Sequence, residues 1–143
     1  MPSAERTIMI NRPVEQVFAF FSDPANDLKW RPDVKEISAQ GAIGQGSFVH
    51  QVVNGPAGRG ISADYEVTEY DMPSRFAFRV VAGPVRPTGL FRFRETENGT
   101  EVTFSLDATL AGVKKLLMSK PVETSMKSEM AALDRAKAVL ERM

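Results

Sequence analysis

The chain of 143 residues holds one histidine, His50, and no cysteine. Proton transfer by an imidazole near neutral pH would therefore have to use His50, the sole candidate catalytic residue. His50 lies in an extended stretch, residues 47–54. Phe48, His50 and Val52 share one face of it, and Val49, Gln51 and Val53 share the other. Both faces are partly apolar. If the Phe48 face turns inward, His50 enters the interior; if not, it is a solvated strand histidine. One histidine and no cysteine exclude a multi-histidine or cysteine-ligated metal site, and no cofactor is expected. Asp64 and Glu66 stand two apart on one predicted strand, and a carboxylate pair can divide acid and base roles. They alternate against Ile61, Ala63, Tyr65 and Val67, so water is their expected surrounding. Arg75, Arg79, Arg86, Arg92 and Arg94 read likewise as a wet face. Their expected partners across the strands are Asp64, Glu66, Glu101 and Asp107.

Tyr65 shares the apolar face of its strand and could present its hydroxyl to a ligand. Trp30, the only tryptophan, could cap one end of a cavity or anchor packing. Met126 and Met130 are flexible and polarisable, which suits either a core or a pocket that accepts varied apolar shapes. With Phe48, His50, Phe78, Phe93 and Phe104 they complete the candidate ligand-binding set. Ala63, Ala82 and Gly89 are small enough to leave space beside them. Lys114, Lys115 and Lys120 could draw an anionic headgroup, although a soluble surface explains them as well. Residues 55–58, Gly-Pro-Ala-Gly, could form a flap.

These residues need elements to hold them. Residues 112–142 read as one long amphipathic helix. Val122, Met126, Met130, Leu133, Ala136 and Leu140 follow the 3.6-residue period, with Lys127, Ser128, Asp134, Arg135, Glu141 and Arg142 opposite. Val113, Leu116 and Leu117 repeat the spacing one turn earlier. Pro121 lies between the two parts, and a kink or break is expected there. Residues 6–10 suit a strand. Residues 13–21 suit a helix with Val14, Val17, Phe18 and Phe21 on one side, and a second short helix follows up to residue 28. From residue 34 to 108 the chain alternates strands and turns, including one unbroken strand over 61–68 and a hairpin at Asn98-Gly99. Consecutive strands with short turns make an antiparallel meander with one covered face. Only the terminal helix is long enough to cover it, so the fold class is α+β.

Composition sets the frame. The length suggests one domain, residues 1–143, with one core. An apolar fraction of 43% with 25% charged residues is that of an ordinary globular chain. Eighteen basic residues balance eighteen acidic ones, which argues against a general nucleic-acid binder. The N-terminus lacks the apolar run of a signal peptide, and no stretch approaches the ~18–20 apolar residues of a membrane span. A cytoplasmic protein is expected.

Several local patterns, taken in order, resemble the START-like or SRPBCC superfamily of polyketide cyclases/dehydrases and lipid-transport proteins. They are Pro13-Val14-Glu15-Gln16-Val17-Phe18, then Ser22-Asp23-Pro24 with Trp30 and Val34 behind it. Gly44-Gln45-Gly46-Ser47-Phe48, Tyr65-Glu66-Val67-Thr68-Glu69-Tyr70 and Gly99-Thr100-Glu101-Val102-Thr103 follow, and the stretch from Leu133 through Leu140-Glu141 closes the set. The resemblance implies a helix-grip fold: a curved antiparallel sheet of about seven strands around a long C-terminal helix, with two short helices after the first strand. It also implies a cavity between sheet and helix for a small apolar molecule.

Three readings follow. The first is a module that binds a lipid, polyketide or aromatic metabolite in that cavity, with His50 or Tyr65 fixing its orientation. The second is a cyclase- or dehydratase-type enzyme acting on a polyketide-like substrate in the same cavity, with His50 moving a proton; His50 on the wet face would remove it in this form. The third is a homodimer or partner-binding protein with a collapsed core. No spacing links a nucleophile, a base and an orienting group, which favours the first.

Overall fold

The protein, here a computed structural model, is described for residues 3–83, 85–108 and 112–143; residues 56 and 112–119 are described by their backbone alone. Strand β1 (Ser3–Ile10) leads to helix α1 (Val14–Ser22), a 3₁₀ turn (Pro24–Asn26) and the four-residue helix α2 (Asp27–Trp30). Strands β2 (Val34–Ala39), β3 (Phe48–Asn54), β4 (Gly60–Ser62), β5 (Tyr65–Asp71), β6 (Arg75–Val80), β7 (Thr88–Thr96) and β8 (Gly99–Asp107) follow, and helix α3 (Gly112–Glu141) ends the chain. The strands join in the order β1-β8-β7-β6-β5-β3-β2, all antiparallel, with short β4 paired to β3. Register shifts at Val67/Glu69 and Val34/Glu36 bend the sheet, because an extra residue on one strand raises its local twist.

The stripe on α3 packs as its spacing requires. Val122, Met126, Met130, Leu133, Ala136 and Leu140 are all buried on the concave face of the sheet. Burial of each of the larger of these side chains stabilises the fold by about 1.5–3 kcal/mol, and Ala136 adds less. Polar ties hold the helix in place along β1. Arg6 donates to the Met130 carbonyl (2.9 Å) and to Asp134 (2.7 Å), Lys137 donates to the Met9 carbonyl (2.7 Å), and Arg12 donates to the Glu141 carbonyl.

Three details differ from the sequence reading. Helix α3 runs across Pro121 without the break that is one of the two outcomes expected there. Proline forfeits one backbone hydrogen bond, and the packed turns that follow hold the helix together in spite of it. The 61–68 strand is interrupted at Ala63-Asp64, where the chain passes from β4 to β5. There Gln51 stands in for the missing ladder partners: its backbone N–H donates to Asp64 Oδ1 (3.0 Å) and its side-chain amide to the Ala63 carbonyl (3.0 Å). The last hairpin forms, but its turn is Glu97-Asn98, with Gly99 at φ 148° opening β8. Any Cβ at Gly99 would run into the Ile10 carbonyl. The Val113, Leu116 and Leu117 turn falls outside the described side chains.

Candidate functional site

A cavity of about 260 Å³ lies between the concave face and α3. The sheet contributes Phe76, Phe78, Val80, Phe91, Phe104 and Leu106, and α3 contributes Pro121, Val122 and Met126. The aromatic wall is ordered: Phe91 and Phe104 stack at 4.1 Å, and Phe21 meets Trp30 edge-on at 5.3 Å. Alternation along β6, β7 and β8 sends these side chains to one face, and the sheet's curl brings them round a common centre.

One end of the cavity is polar. Arg31, just after α2, lies between two carboxylates. Its Nε and Nη2 donate to the two oxygens of Glu129 (2.8 and 3.0 Å), and its Nη1 donates to Asp27 Oδ2 (3.0 Å) and to Gln51 Oε1 (3.1 Å). All four residues line the cavity. Burial alone would lower the Arg31 guanidinium, but Glu129 and then Asp27 overcome it and hold it above its ordinary range. Burial acts the other way on Asp27, raising it to about 6 against the pull of Arg31. Two buried polar atoms at this end have no hydrogen-bond partner: Asp27 Oδ1 and Trp30 Nε1. The two side chains are neighbours, and the indole N–H of Trp30 favours the ionised form of Asp27. Burial, with help from Asp27, pushes the Tyr65 phenol up, so it stays a neutral O–H.

Of the residues singled out from sequence, Trp30, Tyr65, Phe78, Phe104 and Met126 line the cavity. Phe48 and His50 do not. Phe48 is 57% exposed, and its face of β3 points to water. The reason is register: Val49 pairs with inward Tyr65, and Phe48 with outward Glu66, so Val49 and Gln51 take the interior. His50 bonds instead to Glu36 (2.9 Å) and Asp64 (2.9 Å) on the outside, and Glu36 foremost raises its pKa. His50 therefore cannot move a proton within the cavity. Phe93 is buried beside α1, its ring 5.3 Å from Phe18 and 5.9 Å from Phe21, and Met130 packs in the core; neither reaches the cavity.

On the outer face Arg79 pairs with Glu66 (2.7 Å) and Arg94 with Glu101 (2.7 Å) as expected, whereas Arg75 pairs with Glu69 (3.2 Å), Arg92 with Glu5 (3.6 Å), and Asp64 with His50. Asn54 and Gly55, at the start of the 55–58 loop, reach the cavity rim. Lys120 is exposed next to Pro121, while the Lys114 and Lys115 side chains fall outside those described. Among the described residues no group of three or more His, Cys, Asp or Glu side chains could hold a metal ion, and no helix is long and apolar enough to cross a membrane.

Asp27, Arg31, Gln51 and Glu129 were missed from sequence. The available signals were the four-residue spacing of Asp27 and Arg31, and the place of Glu129 between Met126 and Met130 beside the apolar stripe.

Comparison with known proteins agrees with this architecture. A Thermus thermophilus protein of known structure superposes with a TM-score of 0.80 at 20% identity, covering 97% of both chains. A Nitrosomonas europaea protein gives 0.73 at 16% identity over 99% of this chain and 95% of its own. The di-domain ARO/CYC StfQ from the steffimycin biosynthetic pathway gives 0.79 at 14% identity; it covers 98% of this chain, which spans 51% of StfQ. At these identities the likeness is one of fold. No curated protein matches the sequence. The family model described as polyketide cyclase / dehydrase and lipid transport matches residues 1–141.

Proposed function

The chain belongs to this polyketide cyclase / dehydrase and lipid transport family, and from that premise we propose that it binds one small apolar molecule between the sheet and α3. The observation that carries the reading is the cavity itself, whose walls are aromatic and aliphatic over most of their extent and polar at one end. An apolar body gains by leaving water for such walls, and a few polar groups at one end fix which way round it lies. A lipid, a polyketide fragment or an aromatic metabolite would each meet that description. A collapsed core that serves only partner binding fits poorly with about 260 Å³ of space. The cyclase- or dehydratase-type alternative loses its assigned base with His50 outside, and Asp27 is held by Arg31 through Oδ2.

The test is native mass spectrometry of the gently purified protein, followed by denaturing extraction. A copurified apolar molecule of defined mass is the expected result. A panel of compact apolar compounds is then added to the apo protein. A ligand at about 100 times its dissociation constant adds about 2.7 kcal/mol, a rise of several degrees in Tm. Apo protein that gains nothing from the panel would overturn the reading.

A further inference from the structure

We propose that the polar end of the cavity selects a neutral hydroxyl on a compact, roughly two-ring apolar body, and discriminates against carboxylates. This rests on the cavity being the binding site.

Three observations carry it. The first is charge. Asp27 and Glu129 place two carboxylates beside one guanidinium, and Arg31 already spends four hydrogen bonds on Glu129, Asp27 and Gln51. An incoming carboxylate would meet an excess of negative charge where little water screens it.

The second is the pair of orphan atoms. Asp27 and Trp30 are three residues apart on α2, a spacing that puts both side chains on one side of the helix. Asp27 is 6% exposed and Trp30 2%, and both line the cavity. Asp27 Oδ1 is an acceptor without a donor, and Trp30 Nε1 a donor without an acceptor. A hydroxyl supplies both from a single oxygen: its O–H donates to Oδ1 while a lone pair accepts from Nε1–H. A carboxylate could satisfy the indole but would be repelled by Asp27. An ammonium could satisfy Asp27 but would leave the indole unpaired. Only the neutral group that donates and accepts matches both atoms.

The third is size. A cavity of about 150 Å³ holds benzene. About 260 Å³ therefore suits a body of roughly two fused rings.

The test is isothermal titration calorimetry at about pH 7.5 with naphthalene, 2-naphthol and 2-naphthoate, which share one ring system. On the wild-type protein, 2-naphthol should bind about tenfold or more tighter than naphthalene, as expected for a hydrogen bond to a charged acceptor. 2-Naphthoate should bind most weakly. In Asp27→Asn the preference for 2-naphthol over 2-naphthoate should shrink several-fold, because the local negative charge falls. In Trp30→Phe the preference for 2-naphthol over naphthalene should fall. Naphthalene binding as tightly as 2-naphthol, or 2-naphthoate binding tightest, would overturn the selectivity and leave the cavity reading standing. No binding by any of the three would overturn both. The wild-type series decides the matter even if a variant does not fold.

Discussion

Replacing Asp27 by asparagine should change how stability depends on pH, and the structure sets both sign and size. The Asp27 carboxyl is buried and raised from 3.8 to about 6. Its folded pKa exceeds its unfolded one, so between these values the folded protein holds more protons than the unfolded chain. Stability from this group is therefore full below about pH 3.8 and is lost as pH rises through about 6. A shift of about two units corresponds to about 3 kcal/mol over the whole window, of which about 2 kcal/mol falls between about pH 4 and pH 7.5. Asparagine does not titrate. The stability difference between wild type and Asp27→Asn should thus move against wild type by about 2 kcal/mol over that range. Taking the difference removes the titration of distant groups, such as Glu101 and Asp134, which Arg94 and Arg6 hold below their ordinary values. Urea unfolding across a pH series measures it, with the fluorescence of buried Trp30 as the signal. A difference that stays flat with pH, or that moves in favour of wild type as pH rises, would refute the reasoning.

Arg31→Met would leave Asp27 and Glu129 buried without their cation. A loss of about 3–5 kcal/mol in urea unfolding is expected, since breaking a buried pair costs far more than the intact pair contributes. His50 should titrate above 6.5 by NMR, and Glu36→Gln should lower it most. Its contribution to stability is present below about pH 6.5 and lost as pH rises through the folded value. His50→Ala should leave 2-naphthol affinity unchanged, because the ring lies outside the cavity. At Gly89, which pairs with Phe78 across the strands, an added Cβ would strike the Phe78 ring. Gly89→Ala should cost about 1–3 kcal/mol and weaken 2-naphthol binding by displacing that ring in the cavity wall, and calorimetry on the variant checks both.

The parts legible from sequence were those with a strong period. The α3 stripe from Val122 to Leu140 and the inward Tyr65 and Val67 of β5 repeat every 3.6 and 2 residues, so their buried faces followed directly. Strand β3 was illegible for the same reason: Phe48, His50 and Val52 look as apolar as Val49, Gln51 and Val53. Only pairing with β5 breaks the tie, and register is not a property of one strand. The polar end of the cavity was hidden because its charges look like helix-surface charges. Asp27 and Arg31 form an ordinary i,i+4 pair until Glu129, 98 residues from Arg31, closes on the same guanidinium. The break at Ala63-Asp64 depends likewise on Gln51 from another strand.

The most direct test of the central claim is a methyl NMR titration with 2-naphthol, which reports where the ligand sits. Binding between sheet and helix predicts saturable shifts at Ile61, Val80, Leu106, Val122 and Met126, all in the cavity wall, and none at the exposed Met9 and Met72. Saturable shifts confined to the outer face, or no shifts at all, would contradict it.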